Sequence, residues 1–402
     1  VSGDEIPVRS VIVLTLHNRY RISSGEEAVV DGIDRLLKER GHTNVLVSPS
    51  SDEIQPRRLG LARAFVAGIY NPVWRRKTRA LLRDIWPDIV HIHNLYPLIS
   101  PSILPELRRA RVPVVMTVHN YRLVCPNAFF WSGGTVCEKC SGGKEWWCIL
   151  RNCQDSFFKS VGYSARNYFS RINGYYLDNV TMYAALSGFQ KAILVREGFP
   201  GERILVIPNM TRPPDPAPGD ARAATGDYVG FVGRISPEKG VEVLLGAASL
   251  CKEIEFRIAG SEKEAPGLPA GAPENVRFCG ALKGEELERF YRQSRVIVLP
   301  SLWYEGFPNV VIESMARGKP VICSDIGGLR EIVDEAVTGY LFQPGNPARL
   351  AERIRLLWQS PETCQKMGER GREKARSEYS PDRYHERLMH LYSTAIRLTR
   401  GD

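Results

Sequence analysis

Apolar runs of strand length alternate with amphipathic helical stretches along almost the whole chain, and this alternation constrains the fold more than any other feature. Ser10–Leu16 is the first such run; Glu26–Arg40 follows with helical periodicity, and Gly41 closes it as a C-cap. Further runs stand at Asn44–Ser48, Ile89–His93 and Val112–Val118. Strands that are apolar throughout and separated by helices predict a parallel sheet covered on both faces. The rhythm stops at Pro208-Asn-Met-Thr-Arg-Pro-Pro-Asp-Pro-Ala-Pro-Gly219, which holds too many prolines for regular structure. It restarts at Tyr228–Val232, Glu255–Ala259, Val276–Phe278, Val296–Leu299 and Pro320–Cys323, with a short strand at Gly339–Phe342.

The expected fold class is therefore α/β, with two tandem Rossmann-like, doubly wound domains facing each other across a cleft. The first spans residues 1–207 with an insert at 125–153, a linker covers 208–226, and the second domain covers 227–378. The tail from Glu362 to Arg397 is helical and amphipathic but interrupted near Tyr379-Ser-Pro381, and residues 379–402 are a candidate to cross back to the first domain. A length of 402 residues suits two cores of roughly 200 residues each. Ligands in such sheets bind beyond the carboxyl ends of the strands.

With 43% hydrophobic and 25% charged residues the composition is that of a globular protein. No run approaches the roughly 18 apolar residues of a membrane span, and Val1–Ser10 is polar and mixed in charge, unlike a signal peptide. A cytoplasmic protein is expected. The net charge of +9 calls for anionic partners, either nucleic acid or an anionic membrane with phosphorylated substrates. Its excess lies in the first half, at Arg57-Arg58, Arg75-Arg76-Lys77, Arg79, Arg83 and Arg108-Arg109-Arg111. No Cys/His zinc finger, basic zipper or aromatic-interleaved RNA signature accompanies it, so nucleic acid is not expected. Trp74–Trp86 is basic and amphipathic, which suits peripheral contact with an anionic inner membrane face or a plain solvated helix.

Three segments that each follow a strand in the second half have the chemistry of a diphosphate site. In Gly230-Phe-Val-Gly233-Arg234-Ile-Ser-Pro-Glu-Lys239-Gly240, glycines admit close backbone approach, and Arg234 and Lys239 can neutralise a diphosphate. In Pro300–Gly318, Pro308 is expected in the first turn of a helix running to about Arg317, with Gly318 as its stop. Glu305 then lies in the loop before the helix and Glu313 more than a turn inside it. Between them sits a helix amino terminus whose free amides suit a phosphate. Ser324-Asp325-Ile-Gly327-Gly328-Leu-Arg330-Glu331 is a third glycine turn opening a helix.

Together these segments resemble the retaining nucleotide-sugar glycosyltransferases of the GT-B fold, family four in the usual classification. The family's Glu-x7-Glu motif is matched by Glu305 and Glu313, and its Gly-Arg-(five residues)-Gly loop by Gly233, Arg234, Lys239 and Gly240. The resemblance implies that Arg234 and Lys239 bind the donor diphosphate and that Glu313 binds the ribose. Glu305 would contact the transferred sugar, beside the backbone of Gly306, Phe307 and Asn309. It also implies a UDP- or GDP-type donor and a hydroxyl acceptor on a small molecule or glycan. The chain holds no Asp-x-Asp, so no catalytic metal is expected. Base recognition would fall to the loop at 260–282, which no motif fixes. A nucleotide-sugar epimerase or sugar-phosphate synthase is the alternative on the same fold, and a zinc-bearing nucleic-acid-binding protein the alternative from another class.

In the first half, Leu16-His17-Asn18 ends a strand, and Ser23-Ser24-Gly25-Glu26-Glu27 opens a helix. Family members carry two glycines there, whereas this chain has Ser24 before Gly25, so only Gly25 is expected at the donor. His119, at the end of Val112–Val118, holds the place of a family histidine that faces the donor sugar and is the catalytic candidate of this half. His91 and His93 share one strand face; a structural role for both stands beside a place at the cleft, because His93-Asn94 also ends a strand there.

Nine cysteines in a chain expected to be cytoplasmic are expected to be reduced. Cys251, Cys279, Cys323 and Cys364 read as buried small hydrophobes. Cys125, Cys137, Cys140, Cys148 and Cys153 cluster just after His119. Their spacing matches a structural zinc site formed by Cys125, Cys137, Cys140 and Cys153, with Cys148 as the alternative ligand. Disulfides, or free thiols packed with Trp131, Trp146 and Trp147, are the rival readings. Its position suggests that the insert shapes the acceptor pocket.

Overall fold

The computed structural model describes residues 10–20, 25–51, 65–212, 226–261, 267–268 and 271–401. Several sequence expectations fall outside these residues: most of the amino-terminal stretch, Ser23, Ser24, Arg57, Arg58, residues 213–225 of the linker, and 262–266 and 269–270 of the base loop.

Eight strands run through the described residues of the first half: β1 Ile12–Leu16, β2 Thr43–Val47, β3 Ile89–Ile92, β4 Val114–Val118, β5 Trp131–Ser132, β6 Thr135–Val136, β7 Met182–Ala185 and β8 Ile204–Val206. β5 and β6 pair as an antiparallel hairpin, and the other six form one parallel sheet in the order β2-β1-β3-β4-β7-β8. The second half builds another six-stranded parallel sheet from β9 Tyr228–Val232, β10 Glu255–Ala259, β11 Val276–Gly280, β12 Ser294–Leu299, β13 Val321–Ser324 and β14 Gly339–Phe342, in the order β11-β10-β9-β12-β13-β14. Both sheets reverse their winding once, beside β1 and β3 in the first and beside β9 and β12 in the second. Such a switch point leaves a crevice at the carboxyl ends of the two strands that flank it. The strands β7 and β8 escape the sequence reading because Met182-Tyr-Ala-Ala and Ile204-Leu-Val are short and show no alternation.

Helices cover both sheets. α1, Gly25–Glu39, buries Val29, Val30, Ile33, Leu36 and Leu37 at helical spacing and carries Glu26 and Glu27 in its first turn, where carboxylates oppose the helix dipole favourably. α2, Pro72–Ile85, starts where the Asn71 side chain accepts from the amides of Val73 and Trp74, and stops at Trp86 in the left-handed region. α3 spans Leu104–Arg109, α4 Gly188–Arg196 and α5 Asn309–Ala316. Pro308 precedes α5 as its N-cap, with φ −74° and ψ 117°, rather than lying in its first turn. The extended ψ is what ends the loop, and the helix starts one residue later than proline statistics suggest. Gly318 follows with φ 67°, the left-handed conformation that halts a helix.

The tail forms α6, Pro361–Glu378, and α7, Pro381–Arg400. α6 stays with the second sheet, burying Cys364, Met367 and Ala375 there. α7 returns to the first, where Tyr384, Leu388, Leu391, Tyr392 and Ala395 pack with Val13, Ile89, Val115 and Met182. The Tyr392 hydroxyl lies 2.7 Å from His91 Nδ1, and His385 Nε2 lies 2.9 Å from His42 Nε2. The polypeptide therefore leaves the first core near Val206 and closes it again with its last helix. Cys251, Cys323 and Cys364 are buried as expected, but Cys279 is partly exposed because β11 is an edge strand.

Leu391 is fully buried where α7 meets the first sheet. Leu391→Ala is expected to destabilise the first core by about 3 kcal/mol, the usual scale for a buried leucine truncation. Urea unfolding followed by far-ultraviolet circular dichroism should show a lower midpoint; an unmoved midpoint would mean that α7 adds nothing to that core.

Candidate active site

The second-half segments meet at the β9/β12 switch point. Gly233 follows β9, and a Cβ on Gly260 would stand 2.0 Å from its carbonyl oxygen, so two strand ends pack backbone to backbone. Gly240, with φ 68°, sits so close to Pro300 that a Cβ would lie 1.9 Å from the Pro300 oxygen. Only glycine meets both demands. This contact draws Lys239 to the loop after β12, where its Nζ lies 2.7 Å from Glu305 Oε1. The same oxygen accepts from Ser301 Oγ at 2.6 Å and Trp303 Nε1 at 3.0 Å. Glu305 is 4% exposed, a burial that an ionised carboxylate tolerates only with such partners. Arg234 points outward, 45% exposed, held by Glu238 at 2.9 Å, and Glu238 is fixed by Ser236 Oγ at 2.7 Å.

Glu313 lies in α5, with Oε2 2.9 Å from the Tyr291 hydroxyl, and makes no direct contact with Glu305. The Asn309 side chain, at the start of α5, lies 3.7 Å from where a Cβ on Gly25 would stand. The amino termini of α1 and α5 thus face each other across the cleft, and their dipoles favour an anion between them. Asn209 donates to Asn309 Oδ1 at 2.8 Å and to the Phe307 carbonyl at 3.4 Å.

The third glycine segment supports the site. A Cβ on Gly328 would lie 2.5 Å from the Gly306 oxygen, and the Gly328 amide donates to the Glu305 carbonyl at 3.2 Å. Glu331 crosses the cleft and accepts the amides of Gly188 and Phe189, at 2.7 and 2.5 Å, at the start of α4. Glu238, Ser301, Trp303, Asn209 and Glu331 were not foreseen. A serine or tryptophan two to four residues before a glutamate is no signal without the loop's closure, and Asn209 and Glu331 act on distant chain.

On the first-half side, His119 directly follows β4, and its carbonyl oxygen lies 3.5 Å from the Cβ position of Gly306. Its Nε2 is 2.8 Å from His93 Nδ1. His91 is held through both ring nitrogens, by Tyr392 and by Thr117 Oγ1 at 2.8 Å. His17 lies edge-on to His93 and 3.8 and 3.9 Å from Glu26 and Glu27. Burial lowers the pKa of all four histidines, to about 3 at His91 and about 4 at His119, so the row is neutral near pH 7. Burial pushes the Glu26 carboxyl up. A small cavity of about 20 Å³ opens among Glu26, His93, Asn94, His119, Asn120 and Arg122.

The five insert cysteines are free thiols; Cys125, Cys140 and Cys148 are buried. Cys153 Sγ reaches Ser132 Oγ at 3.5 Å, and Cys125 Sγ reaches Asn127 Oδ1 at 3.0 Å. A hydrogen bond between Cys148 and Cys153 holds one thiol up and the other down. Among the described residues no group of three or more His, Cys, Asp or Glu side chains is arranged to hold a metal ion. The zinc expectation is thus not supported: Cys125 bonds to Asn127, and Cys153 to Ser132 and Cys148. Membrane docking through Trp74–Trp86 fares no better. Trp74, Thr78 and Leu82 are buried, and Arg75, Arg79 and Arg109 converge on Glu106 along a groove of about 840 Å³. Trp86, 78% exposed, stands before β3, at the end of the sheet away from the cleft. No described helix is long and apolar enough to cross a membrane.

A family model described as Glycosyltransferase Family 4 matches residues 23–212, and one described as Glycosyl transferases group 1 matches residues 220–374. An uncharacterized 42.6 kDa protein in the cps region of Klebsiella pneumoniae is 26% identical over 80% of this chain and 86% of its own length. D-inositol 3-phosphate glycosyltransferase of Frankia alni is 34% identical, over 37% of this chain and 42% of its own. This second match thus spans less than half of that relative. Among solved structures, sucrose-phosphate synthase from Thermosynechococcus elongatus superposes with a TM-score of 0.71 at 20% identity, covering 96% of this chain and 99% of that one. Anabaena HepE in complex with UDP and glucose gives 0.66 at 17%, covering 96% and 100%. At these identities the likeness is one of fold.

His91 and His93 are neutral when folded but bind protons near pH 6.5 when unfolded. Their contribution is whole above about pH 6.5 and is lost as pH falls below it, by roughly 2 kcal/mol at pH 5 for His91 and in the same direction for His93. Urea unfolding at pH 7.5 and pH 5.0 should therefore differ; equal midpoints would mean that the histidines are not held neutral.

Proposed function

We propose, for a chain that belongs to the GT-B glycosyltransferases of family four, that it is a retaining enzyme moving a sugar from a UDP-type nucleoside-diphosphate-sugar to a hydroxyl on a small-molecule or glycan acceptor, without a catalytic metal. The observation that supports this reading best is the convergence of Lys239, Ser301 and Trp303 on Glu305 Oε1 at the β9/β12 switch point, facing His119. The preference for UDP draws on HepE, solved with UDP and with UDP-glucose.

In this reading Arg234, outward-facing and held by Glu238, takes the donor diphosphate with Lys239 and the amides that open α5. Lys239 is ion-paired with Glu305, so the ammonium proposed for the phosphates and the carboxylate proposed for the sugar hydroxyls stand side by side. Glu313, beside Tyr291, takes the ribose diol. As the bond to the leaving diphosphate breaks, negative charge grows on its oxygen, and the two cations with the helix terminus stabilise it. The acceptor hydroxyl attacks the same face that the diphosphate leaves, and a phosphate oxygen of the donor takes its proton. No protein nucleophile is required. Gly25 leaves room for the donor at the start of α1. The acceptor enters from the side of His119 and the cysteine-rich insert.

Arg234→Ala and Glu305→Gln are each expected to lower donor turnover, read as UDP release from UDP-glucose, by about a hundredfold, the scale of one lost transition-state contact. Unchanged rates in both variants would sink the site assignment. A thermal-shift series of UDP-, GDP-, ADP- and TDP-glucose at 100 times the dissociation constant should stabilise by about 2.7 kcal/mol with the true donor class. A shift with ADP or TDP and none with UDP would overturn the choice of base.

A further inference from the structure

The cysteine-rich insert touches the donor loop at three points. The Phe129 ring meets Trp303 edge-on at 5.1 Å, the Phe130 ring approaches Tyr304 at 6.2 Å, and Glu138 is hydrogen-bonded to the Tyr304 hydroxyl. Glu138 is itself held by Arg196 of α4 at 2.8 Å. Phe129 also lies under the Arg234 guanidinium, 5.8 Å from ring centre to Cζ. One aromatic side chain from the first domain therefore adjoins both a proposed diphosphate ligand and the tryptophan whose indole orients Glu305.

The backbone is built to present that ring. Ala128 and Phe130, on either side of Phe129, both occupy the left-handed region, with φ 72° and 49°. Side chains avoid this conformation, and it persists only where surrounding contacts over-determine it. Those contacts are present. Asn127 Oδ1 accepts the Phe129 amide at 3.0 Å, and Asn127 Nδ2 donates to the Trp131 carbonyl at 2.6 Å, so one side chain brackets the turn. The Ala128 amide donates to Cys125, the Ala128 carbonyl accepts from Tyr121, and the Phe130 carbonyl accepts from Cys137. Phe130 is wholly buried against Tyr121, whereas Phe129 is left partly exposed at the cleft. The strained turn thus buries one phenylalanine as an anchor and offers the next to the donor loop.

We infer that the insert is a clamp on the donor loop and that Phe129 is a specificity-determining and positioning residue for the transferred sugar. Its ring keeps Trp303 bonded to Glu305, the carboxylate proposed to meet the sugar, whereas Arg234 is held by Glu238 whether or not the ring is there, so the hexosyl group feels the ring more than the nucleoside diphosphate does. This rests on the donor-site reading above.

The test is calorimetric titration of UDP and of UDP-glucose into the full chain and its variants. Phe129→Ala is expected to leave the UDP dissociation constant within threefold and to raise the ratio of the UDP-glucose to the UDP constant about tenfold. Phe129→Tyr, which keeps the ring, should hold that ratio within threefold of the parent. A ratio unmoved in Phe129→Ala, or raised equally in Phe129→Tyr, would overturn the inference. If Phe129→Ala also weakens UDP, Phe129→Leu decides: a raised ratio with UDP retained sustains the clamp, and any other result overturns it. Arg234→Ala separates the two readings. Loss of UDP binding there beside an unmoved Phe129→Ala ratio removes only the clamp; retained UDP binding in Arg234→Ala, or a parent chain that binds neither probe, removes the donor site and the clamp together.

Discussion

A buried carboxylate must be compensated, and the arrangement of the candidate site follows from how Glu305 meets that requirement. Its Oε1 gathers an ammonium, a hydroxyl and an indole N–H, from Lys239, Ser301 and Trp303. Removing one of these partners would leave charge in a low-dielectric setting, which is costly. The three donors come from two different strand ends and converge only because Gly240 lets the β9 loop touch Pro300. Gly328 likewise lets the loop after β13 rest on Gly306 and donate its own amide to the Glu305 carbonyl. Close backbone packing is thus the cause, and the charge cluster its consequence. A residue with a side chain at either glycine would push the loops apart before any chemistry was touched.

The same loop also ties the two halves together. Glu331 caps α4, Asn209 bonds Asn309, and the insert rests on Trp303 and Tyr304, while α7 fills the first core from the far end of the chain. Most of these contacts are polar or aromatic and cluster about the cleft. The apolar burial of α7 lies instead against the first sheet. Stability and cleft geometry are therefore served by different contacts, and a change at the cleft need not unfold either core.

Much of this was legible in the sequence. The strand periodicity of Tyr228–Val232 and Glu255–Ala259 matches the observed strands end to end, and the spacing of Glu305 and Glu313 placed one in a loop and one in a helix. Local physics reaches that far, because strand and helix patterns are written within a few residues. It does not reach Trp303 or Phe129, whose roles exist only once chain 174 residues apart is brought together (303 − 129). Pro308 shows the limit at the finest scale: its fixed φ suits both a first helical turn and the residue before one, and the ψ that decides is set by the loop. The cysteines show another. Cys-x2-Cys spacing is compatible with a metal cage, but whether thiols point at one centre depends on the hairpin and on Ser132 and Asn127, which spacing does not encode.

In the histidine row, the position of each proton follows from which ring nitrogens have partners. His93 Nδ1 and His119 Nε2 share one hydrogen, since both rings are neutral. His93 Nε2 is buried with no hydrogen-bond partner among the described residues. Were His119 the donor, His93 would carry its own proton on that nitrogen, leaving a buried N–H unsatisfied. With His93 as donor, the orphan is a bare lone pair, and orphaned acceptors are the less costly and the more common of the two. The favoured tautomer therefore has His93 Nδ1–H donating to His119 Nε2. His119 then holds its remaining proton on Nδ1, the only ring nitrogen left for a ligand. A neutral donor, fixed in tautomer by a second histidine, suits binding a sugar hydroxyl and not general acid catalysis, since a pKa of about 4 leaves almost no imidazolium at neutral pH. That is in keeping with the proposed front-face transfer, in which the acceptor's proton goes to the donor phosphate and this side of the protein serves to orient.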